Sequence, residues 1–178
     1  MIVWCIFILM CLFVLLLVLA YIKFASLTKR IKKNWQTLDS LLRYRTQYIA
    51  ALSLYGGTLP QESHVHLEQL NTVHTHATPS LPLDKRALYE AQISAAFTKI
   101  LDELSKQNQL KADPAFQKLR DNILHAQAKI QRAQTRYNSS AREFNMISSI
   151  IPLNLITAMF EMAPAEYFEL PIPSDIKK

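Results

Sequence analysis

From Phe116 to Ile151 a hydrophobic residue recurs at every third or fourth position. The series is Phe116, Leu119, Ile123, Ala126, Ile130, Ala133, Tyr137, Ser140, Phe144, Ile147 and Ile151, with Ser140 its one polar member. Alternating steps of three and four keep all of these on one stripe of a single long helix, and a stripe of that length needs partner helices to cover it. The expected fold class is therefore all-α: a long antiparallel helical bundle of about four helices, preceded by an N-terminal transmembrane helix. Asp113 is placed to cap the long helix, with Pro114 at the favoured first position, and Pro152 ends it. Large residues on the stripe alternate with Ala126, Ala133 and Ser140, which suits close approach of neighbouring helices. Asn138 and Asn145 lie seven apart, each directly after an aromatic. Asparagine is a mediocre helix former, so its recurrence points to side-chain hydrogen bonds between helices.

The start of the chain is of a different kind. Ile2 to Ile22 contains no charged or hydrophilic side chain, and 21 residues of helix rise about 30 Å, the hydrocarbon thickness of a bilayer. A cleaved signal peptide would want a positive n-region and a shorter apolar run, so a retained single-pass anchor over residues 1–22 is expected. Lys23, Lys29, Arg30, Lys32 and Lys33 crowd its C-terminal flank. By the positive-inside rule they place residues 23–178 on the cytoplasmic side and the short N-terminus outside. The same cluster suits either of two roles, setting topology alone or also attracting anionic lipid head groups.

Between anchor and long helix the periodicity gives three more helices. The first continues from about 23 to 55 on a seam of Ile31, Trp35, Leu38, Leu42, Arg45, Ile49 and Leu52. Arg45 is the odd member, a guanidinium on a buried stripe that must be hydrogen-bonded or snorkel outward. Gly56, Gly57 and Pro60 stop this helix. A weaker helix at about 61–77 carries His64, His66, His74 and His76. After a Pro79–Pro82 loop, a third helix at about 84–110 has Asp84 as its N-cap and Tyr89, Ile93, Ala96, Phe97, Ile100 and Leu104 on its buried side. Residues 153–178 form a C-terminal segment packing back on the bundle end, with a loose tail. Its apolar members Leu153, Leu155, Ile156, Met159, Phe160 and Met162 could cover the bundle or lie on lipid. Packing is favoured, because Glu161, Glu166 and Glu169 would be repelled by an anionic surface.

Charge narrows the function. Seven of the 20 Lys and Arg, but only Asp39 of the 14 Asp and Glu, precede residue 46. That leaves 13 of each sign in the remainder, so the formal charge of +6 sits beside the apolar run. A nucleic-acid binder shows its basic face on the folded domain, and no nucleic-acid partner is expected. Cys5 and Cys11 both lie within the apolar run, which excludes thiolate metal sites and disulfides from the domain. Helical metal ligands sit three or four apart on one face. The histidine pairs here are two apart and face opposite ways, so a solvated polar face is expected and no metal or cofactor. Asp102 and Glu103 are consecutive and diverge, whereas an acid–base dyad converges.

Certain residues carry a resemblance. Tyr137-Asn138, Phe144-Asn145, Pro152, then Leu153-Asn154-Leu155-Ile156, Phe160 and Tyr167-Phe168-Glu169, together with Trp35, Asp39 and Arg45, are similar to the motifs of the LemA family of bacterial membrane proteins. The chain departs from that pattern at several points. Phe144 stands for a tyrosine and Ile151 for a phenylalanine. Ala50-Ala51 replaces Pro-Asn, so no kink is expected there. Gln134 replaces a common arginine, and Glu161-Met162 a Gly-Phe. The resemblance implies a tethered helical bundle in the cell (inner) membrane and no particular reaction. Because such genes are often found beside a membrane metallopeptidase, it also suggests one as a protein partner.

Up-down-up-down connections make the first and last long helices antiparallel neighbours. On that geometry Trp35 should pack near Phe144 and Ile147, and Arg45 should face Tyr137 and hydrogen-bond it or a nearby amide. The expected function is a membrane-tethered scaffold or adaptor without chemistry of its own. The alternative is a metal-handling or enzymatic module using the His64–His76 segment.

Overall fold

The computed structural model describes residues 1–55, 57, 61–76, 81–150 and 153–169, with the side chains of 61–63, 69 and 74–76 outside the description. The fold is all-α. Six helical segments occur among the described residues: α1 (Ile2–Ser53), α2 (Gln61–His76), α3 (Leu83–Lys106), α4 (Asn108–Lys111), α5 (Pro114–Ser148) and α6 (Leu153–Met159). The chain divides into two compact units. One comprises residues 1–36 and 136–167, the other residues 37–135 and 168–178.

Helix α1 is unbroken for 52 residues. No glycine or proline interrupts it before Gly56, and Ala50-Ala51 continues the helix. Helix α5 starts as its sequence dictates: the Ala115 amide donates to Asp113 Oδ1 at 2.9 Å, with Pro114 at the first position. Its described end is Ser148. The stop expected at Pro152, and Ile151 before it, lie outside the described residues, as do Gly56 and Pro60.

Two boundaries differ from expectation. Asp84 does not cap α3. Pro82 is the N-cap residue, without a side-chain cap bond, and Asp84 lies in the first turn, where its charge favours the helix dipole. Nor does α3 run on to Leu110. Gln107 is extended (φ −77°, ψ 122°) and separates α3 from α4. Leu104 and Leu110 are both buried. Six residues apart on one continuous helix, they would point about 120° apart, and the break at Gln107 lets Leu110 turn inward.

In the unit of residues 37–135 and 168–178 the core joins five elements, Leu110 of α4 among them. Ile49 and Leu52 of α1, Leu70 of α2, Phe97, Ile100 and Leu104 of α3, and Phe116 and Ile123 of α5 pack together, with the Tyr55 ring edge-on to Phe116 at 5.5 Å. Burying side chains of this size stabilises by about 1.5–3 kcal/mol each. In the unit of residues 1–36 and 136–167 the core is smaller. Ala20, Phe24 and Leu27 of α1 meet Phe144 of α5 and Ile156 of α6, and Phe24 stands edge-on to Phe144 at 5.7 Å. Rising numbers along α1 meet falling numbers along α5 in this unit, so the two run antiparallel.

Helix α6 ends in a Schellman turn. The Met162 amide bonds the Thr157 carbonyl at 2.9 Å and the Glu161 amide the Ala158 carbonyl at 3.3 Å, which are the two bonds of that motif. Glu161 takes the left-handed position, φ 47°. This is the place where the resembling sequences carry glycine, the residue that adopts it without a Cβ clash.

Candidate functional site

Among the described residues, motif positions contribute to two polar constellations, one in each unit. The first sits in the unit of residues 1–36 and 136–167. Asn145 of α5 holds the backbone of Ala165 from both sides: its Oδ1 accepts from the Ala165 amide at 2.7 Å, and its Nδ2 donates to the Ala165 carbonyl at 2.9 Å. Tyr137 Oη donates to the Glu166 carbonyl at 2.9 Å. A primary amide carries both a donor and an acceptor, so one asparagine satisfies a whole residue of extended backbone. The partner of Asn145 is thus an extended segment of the C-terminal region, not a second helix as its spacing suggested. Burial, with the Glu166 charge, raises the Tyr137 phenol above its ordinary pKa, so it stays a hydrogen-bond donor. Asn138 is half-buried, and Glu169, beyond this unit, is exposed.

Trp35 is not beside Phe144 and Ile147. Its ring packs on Tyr137, centroids 5.4 Å apart, and Phe24 takes the place against Phe144. Two large rings already in contact set the register, and the expectation had omitted Phe24. Ser140, the polar member of the α5 stripe, is buried and doubly satisfied. It accepts from Asn34 Nδ2 at 2.7 Å and donates to the Arg136 carbonyl at 2.9 Å.

The second constellation lies in the unit of residues 37–135 and 168–178. Arg45 is 1 % exposed. It does not bond Tyr137: its Nη2 pairs with Glu90 Oε2, its Nη1 donates to Ser94 Oγ at 2.7 Å, and its guanidinium stands 5.7 Å from the Phe97 ring centre. Desolvation pushes the Arg45 pKa down, and the Glu90 charge opposes that shift. A neutral phenol could not have offset a buried cation; a carboxylate can. One helical turn away on α3, Arg86 pairs with Asp39 Oδ1, and Arg43 Nε reaches Asp39 Oδ2 at 2.9 Å. Burial alone would raise the Asp39 pKa, but hydrogen bonds and charge from Arg86 and then Arg43 outweigh it and hold the carboxyl below its ordinary value. Phe168 is buried, and its carbonyl accepts from Gln134 Nε2 at 3.0 Å. The glutamine at a position where the resembling sequences have arginine keeps a donor to that carbonyl.

Glu90 and Arg86 were missed by the sequence reading, although the signal existed. Residues 86, 90, 93, 97, 100 and 104 share one stripe of α3 by steps of four and three. An acid on that stripe is the natural counterpart of an arginine on the α1 stripe. The Arg45 charge is spent on the Glu90 carboxylate and on Ser94, whose hydroxyl in turn donates to the Glu90 backbone carbonyl.

Two members of the basic flank share one acid. Lys23 Nζ lies 3.2 Å from Glu143 Oε1 and Arg30 pairs with Glu143 Oε2, which holds the Glu143 carboxyl below its ordinary pKa. Lys29, Lys32 and Lys33 are exposed. Along Ile2–Leu16 every residue of α1 is exposed, and this helix is long and apolar enough to cross a membrane. His64 and His66 are half-buried on α2; the side chains of His74 and His76 lie outside the described residues. No group of three His, Cys, Asp or Glu converges among the described residues. A groove of about 370 Å³ between α2 and α3 is lined by His66, Val73, Gln92, Ala95, Ala96 and Lys99.

The family model of the LemA family matches residues 34–177, a span that takes in every motif residue of both constellations. No curated protein matches the chain.

Proposed function

The chain belongs to the LemA family, and from that premise we propose that it is a membrane-tethered helical scaffold that presents its bundle to a protein partner and performs no chemistry of its own. The observation that carries this reading is the continuity of α1. One uninterrupted helix begins with a fully exposed apolar run and, from Ala20 onward, turns a buried stripe to its neighbours. An exposed run of this length and hydropathy has no use in water and a direct one in a bilayer. Lys23, Lys29, Arg30, Lys32 and Lys33 follow the span, so in this reading the N-terminus is outside and the bundle lies in the cytoplasm of a bacterial cell, at the inner membrane. The buried ionisable groups Arg45, Glu90 and Arg86 are each paired with an opposite charge, Arg45 with Glu90 and Arg86 with Asp39, and this supports a structural role over a catalytic one. The partner is a protein, and a membrane metallopeptidase is one candidate drawn from the family resemblance.

Proximity labelling from a ligase fused to the C-terminus tests the proposal. A membrane-fraction protein labelled by the wild type, and lost on charge reversal of exposed α3 and α5 residues, supports it. Stoichiometric zinc or nickel on the purified chain, lost with His64→Ala and His66→Ala, would replace it with the metal-handling reading. Protease shaving of intact cells that digests residues beyond Lys33 would reverse the orientation.

A further inference from the structure

We propose that α6 is a second membrane-contacting element, its outward face seated in the headgroup–acyl boundary beside the end of the Ile2–Ile22 span. The proposal rests on the reading of α1 as the anchor. The inner side of α6 packs through Ile156, with Leu153 and Met162, against Ala20, Phe24 and Leu27, and Leu17 joins the same cluster. Leu17 and Ala20 belong to the apolar span. Leu17 lies five residues, about 7.5 Å, inside its end at Ile22. Interfacial helices seat their apolar faces about 5–10 Å into the same boundary. A bilayer that holds the span therefore brings lipid to the level of α6.

The outer side of α6 is made for that level. Leu155, Met159 and Phe160 are 59 %, 77 % and 56 % exposed. Leu155 and Met159 are one turn apart on one face, and the Phe160 ring lies 6.0 Å from that of Tyr21, so the patch is continuous with the end of the span. No charged residue occurs between Glu143 and Glu161, so seating this face in lipid desolvates no ion. The Schellman turn then redirects the chain at Glu161, where the first charge appears. Continuity with Tyr21 identifies the occupant as lipid: whatever solvates the end of the span also meets this face. Packing and lipid contact, set against each other in the sequence reading, become two faces of one short helix.

The test uses the full chain with Cys5→Ala and Cys11→Ala, reconstituted in phosphatidylcholine–phosphatidylglycerol vesicles. A bimane label is placed in turn at Met159→Cys, at Leu12→Cys in mid-span, and at Leu88→Cys, an exposed residue of α3. Flotation with the vesicles is scored first. The expected result is that the label at 159 is quenched by doxyl lipid, shielded from aqueous iodide and blue-shifted, like that at 12 and unlike that at 88. Iodide quenching at 159 equal to that at 88, on a chain that floats, overturns the proposal and leaves the anchor standing. Shielding from both quenchers overturns it in favour of a protein surface over α6. Failure to float overturns the anchor reading and this proposal with it.

Discussion

The two units manage interior polarity in opposite ways. In the unit of residues 1–36 and 136–167 the polar groups drawn into the fold are neutral: Ser140, Asn34, Asn145 and the Tyr137 phenol, each bonded to backbone or to one another, with the Lys23–Glu143–Arg30 charges left outside. In the unit of residues 37–135 and 168–178 the interior holds a full ion pair, Arg45 with Glu90, and a second in which buried Arg86 meets half-buried Asp39. The difference teaches what each device can do. A neutral amide can fasten a stretch of extended chain, because its donor and acceptor match those of a peptide group. A buried cation calls for a placed anion, so the pair ties α1 to one position on α3.

That contrast is most exposed at Glu90. Glu90→Ala should destabilise its unit by about 3–5 kcal/mol, because Arg45 is left charged and buried. Replacing both residues by methionine should recover most of the loss. Thermal unfolding of the detergent-solubilised chain by circular dichroism measures both. A double variant no more stable than Glu90→Ala would mean that the ion pair is not what holds α1 to α3.

The neutral clip should cost less to remove. Asn145→Ala leaves the Ala165 amide and carbonyl without their partner, worth about 1–3 kcal/mol. The effect should be local, with faster deuterium exchange over residues 162–167 and little change in α2 and α3. Exchange that accelerates equally in both units would erase the distinction drawn between them.

Smaller again is Glu161→Gly, which removes a Cβ from a left-handed position and should stabilise by at most about 1 kcal/mol, the relief offset in part by the freedom of glycine in the unfolded chain. A lowered melting temperature would show that the glutamate side chain makes a contact worth more than the strain.

The least effect is expected from acid. Asp39 and Glu143 both have folded-state pKa values below their ordinary 3.8 and 4.5. Each therefore adds stability that is present above the ordinary value and is lost as pH falls through the depressed one. Glu143 is half-buried but its partners Lys23 and Arg30 are exposed, so its share should shrink in high salt. The share of Asp39, partly enclosed between Arg86 and Arg43, should persist. Acid titrations of Glu143→Gln and Asp39→Asn at low and high salt separate the two. A salt-insensitive contribution from Glu143 would count against this assignment.

How much of this was legible beforehand differs between elements. The α5 stripe is buried at Phe116, Ile123, Ala126, Ile130, Ala133, Tyr137, Ser140 and Phe144, as its spacing foretold, because the 3.6-residue period is written into the positions themselves. The cap at Asp113 was legible for the same local reason. Arg45 was recognisably a problem on a buried stripe, yet its partner was assigned to the wrong helix. The expectation matched α1 only against α5 and overlooked the acid at the same phase of α3. The register error at Trp35 has a similar root: leaving out Phe24 slid the pairing by about two turns.

What the sequence by itself determined is which residues are helical, which side of each helix seeks cover, and that the first 22 residues suit lipid. These follow from period, composition and capping chemistry, all properties of neighbouring residues. Only the tertiary structure decided which buried polar group answers which: Glu90 for Arg45, the Ala165 peptide for Asn145, the Glu166 carbonyl for Tyr137. Those choices depend on distances of a few ångströms between residues 20 to 45 apart in the chain. No local pattern encodes them, because each is settled by the packing of rings and aliphatic side chains around it.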